Sequence, residues 1–97
     1  MNDQSKGPTP EFVDVAVVTT SGRYPTTGFD KVAAHQPVQN ELNKAAKELR
    51  IVDTSGWVAR ANGREIDPTK NYIENQLTAS ATVAIDYGPR EGGGGDE

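Results

Sequence analysis

The sequence predicts an α+β domain in which a mixed sheet of four or five strands packs on one helix. Three observations predict it. Two apolar runs, one near each end of the chain, alternate with the two-residue period of a half-buried strand. One uninterrupted amphipathic stripe lies between them. An Asn-Gly pair between two short apolar segments marks a tight hairpin. Strands on both sides of a lone helix give the α+β class.

The first strand is Phe12-Val13-Asp14-Val15-Ala16-Val17-Val18-Thr19-Thr20, with Val13, Val15 and Val17 on one face. Ser21-Gly22 supplies a turn directly after it. Residues 23–34 carry Tyr24, Phe29 and Val32 but are interrupted by Pro25 and Gly28. They read as one irregular second strand, regular near residues 29–33, because proline is tolerated only at an edge or a bulge. Residues 37–49 read as the helix. Pro37 suits a first helical position, and Val38, Leu42, Ala45, Ala46 and Leu49 build one apolar stripe. Gln39, Asn40, Asn43, Lys44, Lys47 and Glu48 cover the wet face.

Asp53-Thr54-Ser55-Gly56 is a turn cluster, followed by a strand over residues 57–61, the Asn62-Gly63 turn and a short strand, Arg64-Glu65-Ile66. Asn-Gly suits a type I′ turn because both positions need positive φ. Asp67-Pro68 ends the hairpin. Residues 71–77 read as a single helical twist offering Tyr72, Ile73 and Leu77 to the core. The last strand covers residues 82–87, with Val83, Ile85 and Tyr87 inward, and Gly88-Pro89 stops it. The first and last strands, the most apolar, are expected side by side at the centre of the sheet.

The 97 residues suffice for one domain. Residues 1–10 are polar with two prolines, and residues 88–97 are glycine-rich. Neither end buries enough apolar surface to offset its chain entropy, so both are expected to be mobile around a folded body of residues 11–87. The net charge of −4 argues against nucleic acid, whose phosphates need clustered Lys and Arg. No run approaches the roughly 20 apolar residues that span a bilayer, and no secretory leader is visible. The absence of cysteine fits a reducing cytoplasm.

The strand order, the hairpin at each end of the helix and the glycine run after the last strand together resemble the β-grasp fold of ubiquitin. The likeness is closest in the second half. Trp57 through Ile66 is similar to the ubiquitin strand ending in an Ala-Gly-Lys-type turn, here Ala61-Asn62-Gly63-Arg64-Glu65. Tyr72-Ile73-Glu74-Asn75 resembles its tyrosine-asparagine turn, and Val83-Ala84-Ile85 its last strand. The ending, with Arg90 and the glycines after it, also resembles bacterial ubiquitin-like proteins found with adenylating, conjugating and JAB-type peptidase enzymes. Two features depart from ubiquitin: Pro25 and Gly28 break the second strand, and Asp96-Glu97 follow the glycines.

The resemblance implies a modifier with no active site and no cofactor of its own, monomeric until conjugated. Its working residues would be Gly92, Gly93, Gly94 and Gly95. A JAB-type metallopeptidase would remove Asp96 and Glu97, an activating enzyme would adenylate the freed glycine carboxylate, and a conjugating enzyme would deliver it to amines of target proteins. Glycine suits such a relay because the absence of Cβ lets the chain thread a narrow channel, and covalent relay splits one hard step into easier ones. Two alternatives remain open at this stage. One is a sulfur carrier ending in a thiocarboxylate; the other is a β-grasp module that binds partners through its sheet without conjugation.

Other residues offer less. His35 is the only histidine, and with no cysteine a metal site has no supporting spacing. Asp53, Ser55 and His35 lack a nucleophile-elbow pattern, and Asp53 and Ser55 read as turn formers. The glycine run is no phosphate loop, since no helix follows it. Lys6, Lys31, Lys44, Lys47 and Lys70 are candidate acceptors if chains form, and Trp57 and Tyr24 are either a recognition patch or half-buried packing.

Overall fold

The computed structural model describes residues 11–79 and 82–90. Of the segments expected to be mobile, residues 1–10 and 91–97 lie outside the described residues, whereas residues 88–90 of the second are ordered, Gly88 and Pro89 within the last strand. The elements are β1 (Phe12–Thr19), β2 (Gly22–Tyr24), β3 (Asp30–Ala33), α1 (Val38–Glu48), β4 (Trp57–Ala61), β5 (Arg64–Ile66) and β6 (Thr82–Pro89). The sheet order is β2-β1-β6-β4-β5, with β3 also paired to β1. One helix on a mixed sheet is the β-grasp arrangement that the sequence predicts.

β1 and β6 lie parallel at the centre, with Val15 opposite Val83 and Val17 opposite Ile85. Alternation sends Val13, Val15 and Val17 inward, while Phe12 and Val18 stay exposed on the other face. The inward residues join Val38, Leu42, Ala45, Tyr72, Leu77 and Ile85 in one core.

The sheet has six strands rather than four or five, because the expected irregular second strand is two strands. β2 pairs with the end of β1, Thr19 opposite Gly22 and Val17 opposite Tyr24. β3 pairs with its beginning, Phe12 opposite Ala33 and Val15 opposite Asp30. Residues 25–29 leave the sheet between them. Pro25 has no N–H to offer a ladder, and Gly28 turns the chain at a φ of +70°. Phe29, expected within a strand, precedes β3 and is exposed.

The helix begins one residue later than expected. Pro37 is the N-cap, extended at φ −60° and ψ 141°. The first helical donors are satisfied from outside, Val38 N–H by the Lys70 carbonyl at 3.0 Å and Gln39 N–H by that of Pro68 at 2.9 Å. At the other end Arg50 takes the left-handed position at φ +61°. Ile51 N–H then reaches back to the Ala46 carbonyl at 2.8 Å and Arg50 N–H to that of Lys47 at 3.2 Å, which is the Schellman closure.

The Asn62-Gly63 turn has the positive φ at both positions that a type I′ hairpin requires, +55° and +77°. The turn at residues 71–77 is held by side chains. Asn71 and Glu74 cap one another's N–H groups at 2.7 and 3.0 Å. Asn75 is buried, and its Oδ1 accepts from Asp67 N–H at 2.8 Å. Its Nδ2 donates to the carbonyls of Asp67 at 2.8 Å and Asn71 at 3.1 Å. Replacing it strands a buried donor and acceptor, so Asn75→Ala is expected to cost about 1–3 kcal/mol in urea unfolding. An unchanged midpoint would mean that this staple does not hold the turn.

The last strand also differs from expectation. Gly88 and Pro89 do not stop it; they continue it, opposite Val58 and Trp57. Pro89 is compatible because β1 pairs with β6 only as far as Asp86, so this end of β6 is an edge on that side.

Candidate functional site

Gly92, Gly93, Gly94 and Gly95, and Asp96 and Glu97 after them, lie outside the described residues. What the structure places is the root of that segment. The hairpin turn sets Glu65 of β5 directly opposite Arg60 of β4. Arg60 in turn faces Asp86 of β6, so a charged row crosses three strands. β6 runs on beside β4 to Pro89, where Trp57 packs edge-to-face on Tyr87 with ring centroids 5.1 Å apart.

Among the described residues, Arg90 is then held through its N–H, its guanidinium and its carbonyl. Its N–H donates to the Gly56 carbonyl at 3.2 Å. Its guanidinium makes a two-pronged contact with Glu65, Nη1 to Oε1 at 3.0 Å and Nη2 to Oε2 at 2.9 Å. Its own carbonyl accepts from Arg60 Nη2 at 3.3 Å. The Arg90 and Glu65 side chains are 59% and 45% exposed, so water competes and the pair is worth at most about 1 kcal/mol. Its fork geometry nevertheless fixes direction. Val58 points to this same outer face, next to the inward Ala59, and is nonetheless buried.

A shallow open depression lined by residues 18–20, Arg60 and residues 86–88 adjoins the root. Farther across, Phe12 and Phe29 are exposed, with Lys31 Nζ 5.0 Å from the first ring centroid and the Arg23 guanidinium 5.2 Å from the second. These are cation–π distances.

The remaining candidate residues fall as follows. His35 is exposed ahead of the helix. Asp53 and Ser55 form an exposed turn in which Ser55 N–H donates to Asp53 Oδ1 at 2.9 Å, and that bond holds the Asp53 carboxyl below its ordinary range. Trp57 and Tyr24 are half-buried against the core. Lys31, Lys47 and Lys70 are exposed, Lys44 pairs with Asp30 at 3.0 Å, and Lys6 is outside the described residues. Among the described residues no three His, Cys, Asp or Glu side chains gather as a metal set, and no helix is long and apolar enough to cross a membrane.

A second cluster escaped the sequence reading. Glu41, in the first turn of α1, is 2% exposed. Lys44 Nζ stands 3.7 Å from Glu41 Oε1 and 3.0 Å from Asp30 Oδ2. Burial, then the neighbouring Asp30, pushes the Glu41 carboxyl up to about 7. Asp30 moves the other way, chiefly through its hydrogen bond with Glu41. Glu41 Oε2 and the Tyr72 hydroxyl are buried with no hydrogen-bond partner among the described residues, and burial raises the Tyr72 phenol. A helix glutamate three residues before a lysine reads as surface; the burial shows only once the preceding element, β3, brings Asp30 beside it.

No family model and no curated protein sequence matches the chain. Solved structures do match. A designed protein based on ubiquitin superposes with a TM-score of 0.61 at 19% identity, covering 90% of this chain and 99% of its own. The N-terminal ubiquitin-like domain of the 4931431F19Rik protein does so with a TM-score of 0.55 at 14% identity, covering 100% of this chain and 94% of its own. Likeness at such identities is likeness of fold, and the fold of this chain is the ubiquitin-like β-grasp.

Proposed function

We propose that this chain is a ubiquitin-like protein modifier of the cytoplasm, joined to target amines through a glycine of its Gly92–Gly95 run. The observation that carries this reading is a ubiquitin-like body whose last strand leads, one residue past Arg90, into four consecutive glycines. Such a body supplies a docking surface, and the glycines supply an acyl end that fits narrow active sites.

The chemistry would run in four steps. A metallopeptidase hydrolyses the chain at the glycine run, releasing Asp96 and Glu97. The freed carboxylate attacks the α-phosphate of ATP in an activating enzyme and pyrophosphate leaves. A cysteine thiolate displaces AMP to give a thioester, and a lysine amine then displaces the thiol to give an amide. The chain's own residues catalyse none of these steps. They carry the acyl group.

The test is expression of the amino-terminally tagged full chain in its native host, followed by denaturing purification and mass spectrometry. Tagged species heavier than the chain, carrying a lysine-linked glycine remnant, are expected. Gly94→Ala with Gly95→Ala should abolish them. A free terminus bearing sulfur in place of one carboxylate oxygen would identify a carrier instead. Finding only unmodified chain would sink both readings and leave a binding module.

A further inference from the structure

We infer that Glu65 and Arg60 form a latch on the root of the glycine segment, so that any enzyme taking hold of that segment must first detach Arg90. The inference deepens the modifier reading and rests on it for its purpose, but the latch itself is a property of the free protein. It begins with what an enzyme needs. A cleft that reads or cleaves a chain terminus binds the residues before the reacting bond as an extended strand, with backbone groups and side chains offered to the cleft.

While the latch is closed, the groups of Arg90 that such a cleft would take are engaged elsewhere. Its N–H is committed to Gly56 at 3.2 Å and its carbonyl to Arg60 at 3.3 Å. Both prongs of its guanidinium lie on Glu65, at 3.0 and 2.9 Å. These contacts come from the residue before β4, from β4 itself and from β5, so the backbone of Arg90 stays in register beside the start of β4 while its side chain reaches across to β5.

Every latch partner is surface-placed, which sets the strength. The exposed side chains of Glu65 and Arg90 make a contact that salt screens and competing charges replace. A latch of this strength biases the root without locking it. A partner offering its own carboxylate to Arg90 would exchange one ion pair for another and release the segment at little cost. The partner surface thus inferred is acidic where it meets Arg90.

Trypsin serves as the probe, because it takes Arg90 into its cleft and cuts the bond to Glu91. The full chain and Glu65→Gln are digested at low ionic strength, and loss of residues 91–97 is followed by intact mass. Proteolysis reports the population of the open form when opening is fast. Cleavage after Arg90 is expected to be about threefold faster in Glu65→Gln, with unchanged rates at Lys47 and Lys70 and an unchanged thermal midpoint. Arg60→Gln should move the same rate in the same direction. About 0.5 M salt should bring the wild-type rate up to that of Glu65→Gln, since the Debye length is then only about 4 Å. Equal rates at low salt overturn the latch. Acceleration at every site would equally overturn it, by showing general loosening. Neither result depends on conjugation, which the Gly94 and Gly95 substitutions decide separately.

Discussion

Raising the pH from about 4 to about 8 is expected to lower the stability of the fold by roughly 3 kcal/mol through Glu41 alone. The carboxyl titrates near 4.5 in an unfolded chain and at about 7 in the fold. The folded state therefore holds the proton more tightly. The stabilisation is complete below the unfolded value, declines as the pH rises between the two, and is gone once the pH has passed the folded value. The cause is physical: charging Glu41 places a carboxylate in the core-facing turn beside Asp30, with only the half-exposed Lys44 to answer both. Tyr72 adds a neutral hydroxyl there, and Tyr24 lies close enough for the same charges to act on it. Asp30 works in the opposite sense, contributing stability above its own unfolded value and losing it only in stronger acid. Urea midpoints followed by Trp57 fluorescence across this range provide the measurement. Glu41→Gln, which is neutral throughout, should flatten the decline. A wild-type curve already flat between about pH 5 and pH 7 would show that Glu41 is ionised in the fold.

Leu42→Ala is expected to cost about 2–5 kcal/mol. Leu42 is wholly buried in the stripe that α1 turns toward the sheet, in one core with Val15, Val17 and Ile85, which are also wholly buried. α1 is the one helix among the described residues and packs in a close-packed core, so the vacated space closes only in part, and residual cavity adds to the lost transfer energy. A domain of this size has only about 5–15 kcal/mol in total, so the variant should unfold at markedly lower urea concentration. Lys47→Ala, on the exposed side of the same helix, should stay within about 0.5 kcal/mol of wild type. Similar midpoints for the two variants would mean that the helix is not packed as described.

What the sequence revealed and what it hid divide along the range of the interactions involved. β1, the apolar run of β6, the stripe on α1 and the Asn62-Gly63 turn are written in neighbouring residues, through side-chain period or local backbone preference, and each stands where the pattern puts it, although β6 runs on through Gly88 and Pro89. The split of residues 23–34 into β2 and β3 depends on two separate registers with β1, which no local pattern encodes. Pro89 in a strand needs Trp57 opposite it, and the burial of Asn75 needs Asp67. The candidate site follows the same rule. The glycine run is legible as composition, whereas the contact of Arg90 with Glu65 spans 25 positions and exists only after three strands have been aligned. Glu41 was hidden for the same reason, its partner Asp30 being supplied by another element.

The central place of β6 bears on how the protein is made. Among the described residues, β6 is the only strand that joins the β1 side of the sheet to the β4–β5 hairpin. During synthesis the ribosome therefore releases two separate pieces of sheet with nothing between them, and α1 has only half a floor to lie on. Cooperative folding must wait until β6 has cleared the exit tunnel, because only then can the two pieces be joined.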